Sequence, residues 1–386
     1  MPCRADLLAT LILAHDVSDA AIAKRMRMLR LGGAAVTIAG FRRTAAPVGT
    51  IDAVPVVDFG TTKNGGFAQR VLMVLWTLLR LRAHRTLFDA ADVIIARNLE
   101  MLAIAVVGAR KSPRKPTIIY ECLDIHRLML GEGAISRIMR GLERLLLRHA
   151  RAIFTSSPAF ITGYFKGRNP TTLPIRLIEN KILSDQPSPA IAARPVAPPW
   201  IIGWFGILRC RKSLMILAEA VRQSNGALQV IMRGRPALDV IPDFHAIINA
   251  TSGLHFGGAY QNPDDLAALY NGVHFSWAID FYEEGLNSTW LLPNRLYEGG
   301  VYGTVPMALC NVETGRALQK LGIGVVLDNN LPESLCAFLS TLTAESYQSL
   351  ATAAAAVPIE RWVYTTADCQ NLIHFIEALH KSHRHA

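Results

Sequence analysis

The sequence predicts an α/β protein with two domains, each built on a doubly wound parallel sheet. Short runs of β-branched and other apolar residues alternate with helical patterns in both halves of the chain, as strands and crossover helices do in such sheets. A proline-rich stretch separates the halves, and 386 residues are too many for one ordinary hydrophobic core. We therefore expect two Rossmann-like domains.

The first half shows the alternation most clearly, beginning with a buried strand and an amphipathic helix. The predicted strands are Leu7–Ala14, Ala35–Ala39, Val54–Val57, Val93–Ala96, Thr117–Tyr120 and Ala152–Thr155. The predicted helices are Ala20–Leu31, Phe67–Arg85, Leu99–Ala109 and Ala134–His149. We assign residues 1–183 to the first domain.

Residues 184–199 hold five prolines, a composition that cannot continue a helix or a central strand, and we interpret them as a linker. The alternation restarts at residue 200, so the second domain is expected over 200–365, with a terminal helix over 366–386 packing back on the first domain. Ligands of open parallel sheets bind at the carboxyl ends of the strands. A cleft between the two domains is therefore the expected site. The later elements are strands Trp200–Trp204, Leu228–Arg233, Leu254–Phe256 and Val273–Ala278 and helices Ser213–Gln223 and Asp264–Asn271.

The composition is that of a well-buried protein with an excess of positive charge. Hydrophobic residues make up 51% of the chain, and 40 Lys and Arg against 30 Asp and Glu give a net charge of +10. Such an excess favours an anionic partner. Because zinc-finger spacing, RNP-like motifs and long basic blocks are missing, we expect no nucleic acid, which leaves lipid surfaces and phosphates.

Neither export nor a membrane span is predicted. The six cysteines are scattered without a CxxC pair, which favours reduced thiols. The N-terminal apolar run lacks the features of a signal peptide. The most apolar stretch, Val71–Leu79, is far shorter than the ~20 residues that cross a bilayer. We expect a cytoplasmic protein.

A basic turn follows the strand at Trp200. Gly206 is followed by Arg209, Arg211 and Lys212, and a helix opens at Ser213. Cations ordinarily favour the other end of a helix, so their placement makes sense if they converge on an anion. A solvated basic turn is the alternative interpretation.

A second motif, WLLPNRLYEGGVYGTVP, enters a helix near Asn294 and ends before a strand. It resembles the C-terminal domain of GT-B glycosyltransferases related to family 4, through Glu298, Gly303 and Pro306. The resemblance implies that Glu298 binds the donor ribose and that Asn294 and Arg295 lie near the pyrophosphate.

The same family has a glycine followed six residues later by a phosphate-binding lysine, a spacing that Gly206 and Lys212 match. Its arginine after the glycine is Ile207 here, and Arg209 is our candidate replacement. Its sugar-binding glutamate corresponds to Trp290. We expect Glu284, Asn287 and Ser288 to contact the sugar instead.

The sequence offers no dinucleotide fingerprint, no P-loop and no pair of aspartates two apart of the DxD kind. If a nucleotide diphosphate binds, cations and helix N-termini must neutralise it. We therefore expect no metal and no cofactor beyond the donor substrate.

The candidate catalytic residues follow strands of the first half. The segment YECLDIHR comes directly after a buried strand, and an inverting transfer needs a base near the acceptor hydroxyl. Asp124 is the first candidate and Asp16, at the end of the first strand, is the second. His126 is a candidate donor to the sugar. Asp124 as a helix cap is the alternative.

Together, YECLDIHR and NSTWLLPNRLYE are similar to bacterial exopolysaccharide glycosyltransferases of the succinoglycan type. The resemblance implies transfer of a hexose or uronic acid from a nucleotide sugar, UDP-linked in our expectation, to a lipid-linked oligosaccharide. The first domain, residues 1–183, would then bind the acceptor, and the second, residues 200–365, the nucleotide sugar. A GT-B-like nucleotide-sugar epimerase and a non-catalytic sugar-binding module remain the alternatives.

The helix Ala134–His149 has two distinct faces. We expect its apolar face, with Ile135, Ile138 and Leu142, to pack on the sheet, and its arginines to face outward. An arginine face with few acids favours anionic lipid head groups, with Val71–Leu79 as an added apolar contact. We expect peripheral association with the inner membrane, and a plain solvated face is the alternative.

Overall fold

The computed structural model describes residues 7–62, 67–185 and 189–384. The chain forms two compact units, which we call the first and the second unit. The first comprises the chain up to Glu179 together with the part from Tyr364 onward, and the second runs from Asn180 to Val363. The chain therefore leaves the first unit once and later returns to it.

In the described part of the first unit, eight strands form one sheet in the order β3-β4-β2-β1-β5-β6-β7-β8. Neighbours are parallel except for β3 and β4. The central strands are buried on both faces, which explains why they appear as continuous apolar runs in the sequence. The strands are β1 Ala9–Ala14, β2 Ala35–Arg42, β3 Thr50–Ile51, β4 Val54–Thr61, β5 Val93–Arg97, β6 Thr117–Cys122, β7 Ala150–Thr155 and β8 Ile175–Leu177.

The helices of this unit are α1 Ala20–Leu31, α2 Phe67–Arg80, α3 Arg85–Ala90, α4 Leu99–Ala109, α5 Arg127–Leu130 and α6 Ala134–Leu147. A π-helix follows at Phe160–Arg168. The helix expected over Phe67–Arg85 ends at Arg80, where a 3₁₀ turn leads into α3.

Helix α6 is oriented differently from our expectation. Its residues Ile135, Ile138 and Leu142 are exposed, whereas Ser136, Glu143 and Leu147 are buried. The carboxylate of Glu143 determines this orientation, because it accepts hydrogen bonds inside the unit. Its donors are Tyr120 Oη at 2.9 Å, Tyr164 Oη at 2.6 Å and Asn169 Nδ2 at 2.6 Å.

The second unit has a parallel sheet in the order β12-β11-β10-β13-β14-β15. Its strands are β9 Ile182–Leu183, β10 Trp200–Leu208, β11 Leu228–Pro236, β12 Leu254–Phe256, β13 Phe275–Trp277, β14 Val305–Leu309 and β15 Val325–Leu327. Its helices are α7 Arg211–Gln223, α8 Phe244–Asn249, α9 Leu266–Asn271, α10 Asn287–Trp290, α11 Asn294–Val301, α12 Glu313–Leu321, α13 Glu333–Thr341 and α14 Ala344–Ala355. Two doubly wound parallel sheets confirm the predicted fold class.

The segment 184–199, predicted as a linker, belongs to the second unit. Its residues 186–188 lie outside the described part, but the rest includes Arg194, whose Nη2 donates to the carbonyls of Tyr270 and Tyr302 at 3.0 and 2.8 Å. The prolines end regular structure here without preventing packing.

After β16 Val363–Tyr364, the helix α15 Thr366–Arg384 packs against α1, β6 and β7 of the first unit. Among the helices of the described ranges, none is long and apolar enough to cross a membrane.

Candidate active site

The order of the strands in the second unit reverses direction between β10 and β13, which is where open α/β sheets bind ligands. Arg209 and Lys212 lie at the carboxyl end of β10, and Asp280 and Glu284 follow β13. Arg209 Nη2 is 4.0 Å from Asp280 Oδ2, and Lys212 Nζ donates to Glu284 Oε1 at 2.7 Å. Arg209 and Lys212, the two cations predicted to bind phosphate, therefore lie at the switch point of the second sheet.

These two ion pairs are partly exposed, with 41% of the Arg209 side chain and 50% of the Lys212 side chain open to solvent. Exposed pairs of this kind contribute only about 0–1 kcal/mol, so a phosphate could replace the carboxylates. Glu284, which we expected at the sugar, is the carboxylate that Lys212 contacts. Arg211 points elsewhere and pairs with Asp243.

Gly206 lies opposite Gly234 in the pairing of β10 with β11. Its φ of +109° lies in the region that favours glycine, and a Cβ there would meet nothing within 4 Å. A Cβ on Gly234 would stand 1.8 Å from the Gly206 carbonyl oxygen. Both positions therefore need glycine, and space remains open beside Gly206.

The start of α11 presents donors suited to an anion. Pro293 precedes the helix without capping it, Asn294 is exposed, and Arg295 is half-buried. Arg295 Nη1 is buried and has no hydrogen-bond partner in the described part of the chain. Backbone N–H groups at a helix start together with an unsatisfied guanidinium nitrogen make an anion site.

One turn further along α11, the carboxylate of Glu298 is buried and held by two donors. Asn262 Nδ2 donates to its Oε1 at 3.0 Å, and Tyr270 Oη donates to its Oε2 at 2.8 Å. Burial and the Glu298 charge hold the pKa of Tyr270 well above its usual range, so this hydroxyl stays a donor. Tyr302 stacks on Tyr270 with ring centroids 6.0 Å apart. Neither Asn262 nor Tyr270 could be predicted as a partner of Glu298 from the sequence, because both lie on distant segments of the chain.

Asn287 and Ser288, the other expected sugar contacts, are buried at the start of α10. Asn287 Nδ2 donates to Glu283 Oε2 at 2.6 Å, and Ser288 Oγ accepts from the Glu283 backbone N–H at 2.9 Å. These bonds hold the start of α10 to the turn that precedes it.

In the first unit, the three catalytic candidates differ in their surroundings. Asp124 is exposed after β6. Asp16 is buried, and its Oδ1 accepts from the Ser18 backbone N–H at 3.0 Å. His126 Nδ1 accepts from the Leu128 N–H at 3.3 Å and so caps α5. Asp16 and His126 thus both have local structural roles.

The carboxyl edge of this sheet also brings together four residues that the sequence analysis missed. We call them the switch cluster: His15, Arg70, Asn98 and Glu100. They lie at or near the ends of β1 and β5, where the strand order of the first unit reverses. Asn98 Nδ2 is 3.4 Å from His15 Nδ1, and Arg70 Nη1 is 4.0 Å from Glu100 Oε1.

Comparisons with known proteins agree with this architecture. No protein-family model matches the sequence. HepE of Anabaena, solved with UDP and glucose, superposes with a TM-score of 0.68 at 16% identity, covering 96% of this chain and 99% of its own. Sucrose-phosphate synthase of Thermosynechococcus elongatus superposes with a TM-score of 0.74 at 13% identity, covering 97% and 100%.

The fold is therefore that of the GT-B glycosyltransferases. The succinoglycan biosynthesis protein ExoL of Rhizobium meliloti (strain 1021) is 44% identical over 380 residues, which are 97% of this chain and 94% of that protein. The chain belongs to the family of this succinoglycan biosynthesis protein, which confirms the resemblance seen in the motifs.

Proposed function

We propose that this glycosyltransferase of exopolysaccharide biosynthesis transfers a hexosyl or uronosyl group from a UDP-sugar to a hydroxyl of a lipid-linked oligosaccharide. The observation that carries the donor assignment is the start of α11. There Arg295, whose buried Nη1 has no hydrogen-bond partner among the described residues, precedes the buried Glu298 by one helical turn. This spacing suits a nucleoside diphosphate, with a cation for the phosphates and an acceptor for the ribose hydroxyls.

Charge neutralisation by protein groups supports a mechanism that needs no metal. Arg209, Lys212, Arg295 and the N-terminal N–H groups of α11 supply positive charge in the second unit. On departure, the diphosphate gains negative charge at its terminal phosphate, and these fixed groups stabilise that charge. Arg209 and Lys212 first release Asp280 and Glu284.

Asp124 remains the proposed base for the acceptor hydroxyl. It is exposed at the carboxyl edge of the first sheet, where a substrate can reach it. Asp16 is the weaker candidate, since Ser18 and Arg43 occupy its carboxylate.

Two exposed helix faces of the first unit support our proposal of peripheral membrane association. The exposed apolar side chains of α2 lie on one face of that helix: Val71, Leu72, Leu75, Trp76 and Leu79. Helix α6 exposes Ile135, Ile138, Leu142 and Leu145 beside Arg137, Arg144 and Arg148. Helix α4 contacts both α2 and α6, so the two helices with exposed apolar faces are neighbours of the same helix. Apolar faces with arginine margins are typical of helices that lie in an anionic membrane surface.

The test is an assay of the purified chain with a panel of nucleotide sugars, with and without a membrane extract that supplies lipid-linked oligosaccharides. We expect UDP release and a larger glycolipid only when donor and extract are both present. Conversion of the sugar nucleotide without acceptor would indicate an epimerase instead. Binding without any turnover would indicate a sugar-binding module.

A further inference from the structure

Asn98 of the switch cluster has an unusual backbone conformation. Its φ of 70° and ψ of 169° fall in a region that is essentially limited to glycine, so the backbone of an asparagine is strained there. Asn98 occupies the position before α4 where an asparagine normally caps a helix, yet its side chain makes no cap bond. Its Oδ1 is buried without a partner in the described chain. Capping of α4 therefore does not explain why an asparagine stands at this position.

Arg70 of α2 brings a possible donor for an anion close to the first turn of α4. Its Nε is buried and has no hydrogen-bond partner in the described ranges, whereas its Nη2 lies 3.2 Å from His126 Nε2. The Glu100 carboxylate is 4.0 Å from Arg70 Nη1, beyond hydrogen-bond distance. The eleven-residue helix α4 also begins here without a side-chain cap. An unsatisfied guanidinium nitrogen beside the first turn of a helix is suited to a phosphate or carboxylate.

His15 is a neutral partner within the same cluster. Burial and the charges of Arg97, Arg43 and Arg70 lower its pKa to about 3, against the opposing effect of Asp16. A base this weak is poorly matched to proton transfer near pH 7. Its imidazole can still exchange hydrogen bonds with a hydroxyl, so its expected role is in binding.

We propose that the switch cluster binds an anionic sugar, with Asn98 and His15 contacting a hydroxyl and Arg70 contacting a phosphate or carboxylate next to it. This inference rests on the proposed function, because it makes the cluster a subsite for the acceptor. The acceptor sugar that reacts would then be one carrying, or standing beside, a negative charge.

The test uses the full chain with isotope-labelled histidine, in which the His15 signals are assigned with His15→Gln. Glucose 1-phosphate, glucuronate and neutral glucose are titrated separately. We expect saturable shifts of the His15 signals with an anionic sugar and none with glucose at equal concentration. The anionic sugar that binds more tightly shows whether the site recognises a phosphate or a carboxylate. Arg70→Gln should weaken binding by about tenfold or more, and Arg70→Lys by less.

Asn98→Gly separates binding from a structural role. Glycine adopts this backbone without strain, so the melting temperature should stay equal or rise while the sugar binds more weakly. Asn225→Gly is the matched control, because Asn225 is exposed and has a φ of +48° in a turn of the second unit. Its effect on sugar binding should be nil.

Three results would overturn the proposal: no shift of His15 with either anionic sugar, equal shifts with glucose, or unchanged sugar binding in Asn98→Gly. Calorimetry with UDP on the same samples reports the donor site of the second unit independently. If the chain does not bind UDP but the His15 signals still shift with an anionic sugar, the proposed donor is contradicted and the proposed sugar site is not.

Discussion

Arg295 and Glu298, two residues of the proposed donor site, differ in the hydrogen bonds that they already make. Arg295 has a buried nitrogen without a partner in the part of the chain that the structure describes, whereas Glu298 already accepts from Asn262 and Tyr270. A ligand therefore satisfies Arg295 but must share or replace the donors of Glu298. We expect Arg295 to contribute more to the binding of free nucleotide than Arg209 or Lys212, which lose carboxylate partners when a phosphate binds.

Arg295→Met should weaken UDP binding by about 1.5–3 kcal/mol, the range for hydrogen bonds to charged groups. Arg211→Met is the control, because Arg211 stands at the start of α7 yet pairs with Asp243 outside the crevice. Isothermal titration calorimetry measures both variants. Equal affinities of Arg295→Met and the unaltered chain would remove the pyrophosphate from the start of α11.

At the scale of elements, α6 shows what a sequence pattern can and cannot specify. The pattern correctly predicted a helix with an apolar and a basic face, and it also gave most strands, whose buried runs are unambiguous. It did not specify which face packs inward. That depended on the hydrogen bonds of Glu143 to Tyr120, Tyr164 and Asn169, which come from separate segments of the chain.

The same limit applies to the sites. Glu298 and Arg295 could be proposed from the sequence because one continuous motif contains both. His15 and Asn98 are 83 residues apart and become neighbours only because β1 pairs with β5, a strand order that the alternation of elements leaves open. The strained backbone of Asn98 likewise cannot be predicted from the residues around it in the sequence.

The exposed face of α6 gives a prediction for this element. Ile138→Glu places a negative charge in the middle of the proposed membrane contact, where Ile138 is 69% exposed. Binding to vesicles that contain anionic lipid should fall by about tenfold or more, since both apolar burial and attraction to the head groups are reduced. Sedimentation with vesicles is the measurement.

Met215→Glu is the matched control for Ile138→Glu, because Met215 is an exposed apolar residue on α7 of the second unit. It should leave vesicle binding unchanged. If both variants bind as the unaltered chain does, α6 has no part in membrane association.

At the scale of the whole molecule, the first unit depends on α15, which follows the entire second unit in the chain. Cys369, Leu372, Ile373 and Ile376 are buried on this helix. Each large apolar side chain contributes roughly 1.5–3 kcal/mol when fully buried. Ending the chain after Thr365 should therefore unfold the first unit at a much lower temperature and leave the transition of the second unit unchanged in calorimetry.

A chain that ends after His380 keeps these buried residues and the contact of His380 Nδ1 with Thr117 Oγ1 at 3.0 Å. It should melt like the full chain. If the chain that ends after Thr365 has the same melting temperature as the full chain, α15 is dispensable for the first unit.

Metal independence is a prediction about the complete enzyme. Turnover should persist in excess EDTA, because cations and helix N-termini are proposed to stabilise the leaving diphosphate. The measurement is product formation before and after chelation. Loss of turnover that Mg²⁺ or Mn²⁺ restores would contradict the proposed mechanism.

The return of the chain to the first unit at Tyr364 also has a consequence during translation. A ribosome releases the eight strands of the first sheet long before it makes α15, and all of the second unit is synthesised in between. At about 5–20 residues per second, this interval lasts on the order of ten seconds or more. During this time the nascent first sheet lacks its terminal helix, and its uncovered apolar surface is one that a ribosome-associated chaperone can recognise.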